Sequence, residues 1–121
     1  MKKAANILVG FVALEHLWFL VLEMFLWTKP LGMKTFGLTA ELAEQTASLA
    51  ANQGLYNGFL AAGLIWSLLR KADAYALKVF FLSCVIVAGV FGAVTAKATI
   101  LYVQGVPAML ALALVVLARQ K

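Results

Sequence analysis

Apolar residues run along this chain in four long stretches separated by short polar or helix-breaking segments. The first covers about Ala4 to Trp27 and the second about Leu49 to Leu69. The third covers about Val79 to Ala96 and the fourth about Thr99 to Ala118. A helix needs roughly 20 apolar residues to cross a bilayer. The pattern therefore predicts an all-α membrane protein, a bundle of four transmembrane helices. Lys29-Pro30-Leu31-Gly32 breaks the first helix, and Trp27 just before it suits the aromatic belt of a membrane interface. Arg70-Lys71 closes the second stretch and Arg119-Gln120-Lys121 the fourth. Gly105 and Pro107 leave the start of the fourth open, because proline delays or kinks a helix.

The long connection lies between the first two stretches. Gly37-Leu38-Thr39 followed by Glu41 and Glu44 reads as a helix start, with Thr39 as N-cap and the acids at the positive helix end. This short extra helix in the outer loop either lies on the surface with Leu42 and Leu49 facing down or runs straight into the second span. Nothing resembling a repeat or a domain boundary interrupts residues 1–121, so a single integral membrane domain is expected.

Composition sharpens this reading. Of the 121 residues, 64% are hydrophobic and 12% charged, and the mean hydropathy is +0.97. A soluble domain is about 45–50% apolar and about 25% charged, and so short a chain cannot hide the excess in one core. Soluble, disordered and disulfide-built chains are excluded. Cys84, the single cysteine, has no partner for an intrachain bridge and reads as a small buried apolar residue.

The net charge of +5 would suit nucleic acid if it were clustered on a soluble face. Its distribution points to topology instead. With the N-terminus inside, the inner regions hold Lys2, Lys3, Arg70, Lys71, Lys78, Arg119 and Lys121, and the outer regions hold Lys29, Lys34 and Lys97. That bias places both termini in the cytoplasm. No nucleic-acid partner is expected. Lys2-Lys3 ahead of an apolar run also resembles a signal peptide, but no small-x-small cleavage site follows and Glu15-His16 interrupts the apolar region, so the first span is read as uncleaved.

Polar side chains inside the spans are the candidates for chemistry, since an acid or base at a helix centre costs about 2.5–3.5 kcal/mol on insertion scales. The first span carries Glu15, His16 and Glu23. Glu15 lies about 11 residues from the inner end, roughly 17 Å deep. His16, Leu20, Glu23 and Trp27 recur at i, i+4, i+7 and i+11 and share one face, with Glu15 about 100° round from His16. The second span opens with Asn52, Gln53, Tyr56 and Asn57. Asn52 and Gln53 are expected level with Glu23, and Asn57 nearer Glu15 and His16. Thr95, Lys97, Tyr102 and Gln104 are expected to cluster where the third and fourth spans meet outside, with Lys97 able to pair with Glu23. Together these residues outline a cavity opening outward with Glu15, His16 and Asn57 at its floor.

Two small-residue stripes, Gly54-Gly58-Ala62 and Ala88-Gly92-Ala96, permit close helix approach and are candidate homodimer seams. No metal site is expected, because a four-helix carboxylate site normally brings Glu-x-x-His motifs from two helices and none is present. No phosphate loop, Ser/His/Asp set or dinucleotide fingerprint occurs, and no cofactor is identified.

Several of these segments carry a resemblance. Glu15-His16 with Glu23-Met24-Phe25-Leu26-Trp27, then Phe36-Gly37, then the run from Ala51-Asn52-Gln53-Gly54-Leu55-Tyr56-Asn57-Gly58 to Leu64, and finally Gln104-Gly105-Val106-Pro107-Ala108, look like a bacterial family of small four-span membrane proteins, the domain of unknown function thirteen-oh-four. The resemblance covers nearly the whole chain and implies an integral protein of the bacterial inner membrane with no assigned activity. The small multidrug-resistance transporters are similar in length and helix number and carry one buried Glu in the first helix, where Glu15 sits here. His16, Glu23 and the amide-rich second span depart from them, so that likeness is architectural.

Three functions fit these residues. The first is binding or transport of a small amphipathic or cationic molecule, with Glu15 exchanging a proton for it. The second is a membrane enzyme of isomerase or reductase type on a lipid-soluble substrate, with His16 and Glu15 or Glu23 as acid and base and Asn57 or Tyr56 as hydrogen bonders. The third is an accessory subunit in which the polar residues only join helices.

Overall fold

A computed structural model describes all residues, 1–121, and the chain is entirely helical with connecting turns. The helices are α1 (Lys2–Met24), α2 (Pro30–Phe36), α3 (Ala40–Leu69), α4 (Ala74–Thr95) and α5 (Val106–Gln120), with a π-helical turn, Leu101–Gly105, leading into α5. By length and apolarity three helices can cross a membrane: α1, α4 and the continuous Leu101–Gln120 segment. The 30-residue α3 is the longest helix but is diluted by Asn52, Gln53 and Asn57.

Two compact units make up the chain, one of residues 14–61 and one of residues 1–13 with 62–121. In the first, α1 and α3 run antiparallel. A β-carbon on Gly54 would come within 2.7 Å of Met24 Cγ and 3.3 Å of the Leu20 carbonyl oxygen, and one on Gly58 within 2.7 Å of Leu20 Cδ1. The missing side chains let the two backbones approach closely. The first stripe thus receives α1 of the same chain at Gly54 and Gly58.

The link between α1 and α3 holds the short extra helix, but not where the acids suggested it. Pro30 opens α2 at its first turn, where a missing N–H is harmless. The first helix ends at Met24, earlier than Lys29-Pro30 suggested, and after the turn of residues 25–29 a helix re-forms at once. Gly37, with φ +65°, ends α2 in the left-handed conformation, and the Leu38 N–H donates to the Met33 carbonyl at 2.8 Å. Thr39 then caps α3 as expected, its Oγ1 accepting from the Leu42 N–H at 3.1 Å. From Ala40 the helix runs straight through Glu41 and Glu44 into the amide-rich segment. Leu42 and Leu49 are exposed, and Ala43 and Ala50 take the buried side. Small residues there let the helix sit closer than leucine would.

In the second unit α4 and the last helix pack antiparallel. The core positions are Leu82, Val85 and Gly89 on α4, and Ala108, Ala111, Val115 and Ala118 on α5, spaced for one helical face each. Gly89 is the closest crossing: a β-carbon there would lie 3.0 Å from the Gly105 backbone. The close approach within the chain therefore uses Gly89 rather than the Ala88-Gly92-Ala96 stripe. Ala88 and Ala96 are exposed, and Gly92 meets Ile100. The π-turn resolves the open start of the fourth span. Val106 N–H reaches back five residues to the Leu101 carbonyl, and the extra residue brings Gly105 to Gly89 just before Pro107.

The exposed surfaces of α1 and α4 are apolar. On α1, Ile7, Phe11, Leu14 and Trp18 form one exposed stripe, and Phe25 in the turn after it is exposed too. Phe80, Val87, Phe91 and Val94 do the same on α4. Such a pattern is stable only in a solvent that is itself apolar.

Candidate functional site

The candidate site lies in the unit of residues 14–61. The sequence face His16-Leu20-Glu23-Trp27 is the one that meets α3. His16 is fully buried, its ring edge-on to Phe19 at 5.2 Å and 70°. Leu20 fills the notch of Gly54 and Gly58. Glu23 accepts at Oε1 from Asn57 Nδ2 across 2.6 Å. Trp27 donates through Nε1 to Thr46 Oγ1 at 3.0 Å, and its ring packs on Phe36 at 4.8 Å. Thr46 in turn donates to the Leu42 carbonyl at 2.7 Å. Trp27 is thus part of an intrachain strap as well as a residue at a span's end.

Asn57 is 5% exposed, and its partner is Glu23 rather than Glu15 or His16. Gly54 sits beside Met24 and Glu23, so Asn57 lies about one turn further along. The long glutamate side chain spans that turn. A buried amide with an acid in reach takes it, because an unsatisfied polar group in hydrocarbon costs several kcal/mol by order of magnitude.

Asn52, Gln53 and Tyr56 are exposed. The buried line of α3 runs Ala43, Ala50, Gly54, Asn57 and Ala61. Gln53 and Asn52 precede Gly54 by one and two residues, so they turn about 100° and 200° away from it. Tyr56 packs edge-on against its neighbour Phe59, with ring centres 5.9 Å apart.

Glu15 behaves differently from Glu23. Its Oε1 is buried and has no hydrogen-bond partner. Buried acceptors are nearly always satisfied, so an orphan in a helix of this apolarity marks a place where a proton, a cation or a ligand can act.

In the other unit, Lys97 is exposed in the turn after α4 and Gln104 is half-buried in the π-turn. Thr95 Oγ1 donates back to the Phe91 carbonyl at 2.7 Å, and Tyr102 is exposed. No group of three or more His, Cys, Asp or Glu side chains comes together anywhere.

Sequence reasoning missed Thr46 and Asn6 as polar partners. Asn6 Oδ1 accepts from Lys78 Nζ at 2.6 Å. Spacing within one helix carries no signal for such pairs, whose members are far apart in the chain.

Comparison with known proteins places the chain. A family model described as Protein of unknown function (DUF1304) matches residues 10–116. The chain is 31% identical over 103 residues to the Uncharacterized protein YpaA of Lactococcus lactis subsp. lactis (strain IL1403), an alignment covering 84% of this chain and 87% of that one. No solved structure matches.

Proposed function

The chain belongs to the family Protein of unknown function (DUF1304), and from that premise we propose a four-span protein of the bacterial inner membrane that binds or transports a small amphipathic or cationic molecule through Glu15. The observation that carries this reading is the buried, unpartnered Oε1 of Glu15. A carboxyl there gives up its proton when a cation arrives and takes it back when the cation leaves. Neighbouring His16 is fully buried.

α3 supplies the fourth span in this proposal. At 1.5 Å per residue its 30 residues reach about 45 Å, ample for a bilayer core of about 30 Å. Its antiparallel contact with α1 supports this, at Gly54 and Gly58 in one unit and between Gly10 and Leu68 in the other. The basic residues around both termini support their lying in the cytoplasm.

A second reading has its own support. The 2.6 Å bond between Asn57 and Glu23 is the kind of contact that joins helices in an accessory subunit. One experiment separates the two. Purified protein in lipid nanodiscs is titrated with tetraphenylphosphonium while binding and proton release are followed. The proposal expects saturable binding with proton release, both abolished in Glu15→Gln and retained in Asn57→Ala. Binding that is unchanged in Glu15→Gln, or absent from the wild type, refutes it and leaves the helix-joining role.

A further inference from the structure

A cavity remote in sequence from Glu15 lies in the unit of residues 1–13 and 62–121. It is a half-open cleft of about 320 Å³ between the first turns of α1 and α4 and the last turn of α5. Five cations line it: Lys2, Lys71, Lys78, Arg119 and Lys121. No acid does. Asp73, the nearby carboxylate, is engaged by Arg70 through contacts of 2.8 and 3.2 Å. Positive-inside topology needs basic residues at this end, but it does not need them gathered round one cavity.

Two of the cations are also held in place. Lys78 Nζ donates to Asn6 Oδ1 at 2.6 Å, which ties α4 to α1. The Arg119 guanidinium lies over the Tyr75 ring, 4.1 Å from its centre, which ties α5 to α4. Each contact leaves other donors of the cation open to the cleft, since an ammonium carries three and a guanidinium five. The two helix N-termini add partial positive charge, while the α5 C-terminus opposes it and brings Arg119 and Lys121 as compensation. The remaining wall is apolar: Ala5, Ala74, Val115 and Ala118. Ligand pockets begin at roughly 300 Å³, so the volume suits a small polar group.

We propose that this cleft binds the phosphate headgroup of an anionic phospholipid. Clustered cations with no counter-charge favour an anion, and the apolar wall at the ends of spanning helices favours one attached to acyl chains. Free phosphate shares the headgroup's charge but gains nothing from that wall.

The test uses the full chain in detergent, with native mass spectrometry reading the retained lipid. The probes are dioleoyl phosphatidylglycerol, dioleoyl phosphatidylcholine and inorganic phosphate. Retention of phosphatidylglycerol over phosphatidylcholine is expected, with inorganic phosphate unable to displace it at equal concentration. Lys78→Gln with Arg119→Gln should weaken that retention roughly 10- to 30-fold. Lys71→Gln with Lys121→Gln, two exposed side chains whose loss leaves the packing intact, should act in the same direction. The charge-matched control Lys29→Gln with Lys34→Gln, outside the cleft, should leave it unchanged. Equal retention of the two lipids, displacement by equimolar phosphate, or an equal loss in the control overturns the proposal.

Discussion

Asn57 and Glu23 stand 34 residues apart in the chain, and the amide of one donates to the carboxyl oxygen of the other across 2.6 Å. This bond joins α1 to α3 in the half-buried zone where Leu20 enters the notch of Gly54 and Gly58. Replacing Asn57 with leucine removes the donor and leaves Glu23 among apolar groups. The expected loss of stability is about 1–3 kcal/mol. Glu23→Gln keeps a carbonyl oxygen for the same donor and should unfold close to the wild type. Thermal unfolding in detergent, followed by near-ultraviolet circular dichroism, checks the order; equal midpoints for all three proteins would show that the bond contributes nothing.

Gly32 makes a sharper prediction. A β-carbon there would land on the carbonyl oxygen of Leu26 and 3.0 Å from the Trp27 Cα, both rigid backbone. Gly32→Ala should therefore cost about 1–3 kcal/mol or more, as overpacking does. Gly37→Ala meets open space and costs only its left-handed conformation, about 1–2 kcal/mol. The same melts rank the pair, and a Gly37 variant less stable than the Gly32 variant would contradict the packing of α2 against the turn that follows α1.

At the α4 crossing the two glycines should differ in their tolerance. Gly89→Ala pushes on the Gly105 backbone, which cannot yield without separating the helices. Gly105→Ala meets Leu101 Cδ1 at 2.9 Å, the end of a flexible side chain that can turn away. The first is expected to lose about 1–3 kcal/mol and the second clearly less. Denaturant titration of both variants decides it, and equal losses would place the close approach elsewhere.

The exposed Arg70–Asp73 pair governs a small pH effect. The Arg70 guanidinium donates to Asp73 and holds its carboxyl below the usual aspartate range. The folded chain therefore binds that proton less readily than the unfolded chain. The contribution is whole at neutral pH and is lost as pH falls below the ordinary aspartate value through the lower folded one. The side chains are 49% and 45% exposed, so the effect is small and screened by salt. Asp73→Asn should flatten the acid limb of the stability curve at low ionic strength and match the wild type in high salt. A difference that persists unchanged in high salt would point to another cause.

Much of this architecture was legible in the chain alone. Apolar runs of spanning length demand lipid whatever their neighbours are, so α1, α4 and the final helix were predictable. So was the face His16-Leu20-Glu23-Trp27, because helical periodicity is a local property. Thr39 could be assigned as a cap because capping involves only three or four consecutive residues. Partner choice was not legible. Asn52, Gln53 and Asn57 have the same chemistry in sequence, yet Asn57 alone among them is buried, and it bonds to Glu23. That selection depends on how α3 is rotated about its axis, which the notch of Gly54 and Gly58 against Leu20 decides.

The same division holds at the other end of the spans. The basic residues there could be counted from the chain alone. Their convergence around one cleft could not, because Lys2, Lys78 and Arg119 lie on three helices whose ends meet only after packing. Composition and periodicity act through neighbours within a few residues and determine which solvent each helix can occupy. Rotation, register and the meeting of distant side chains depend on close packing between helices, and those were decided by the tertiary structure.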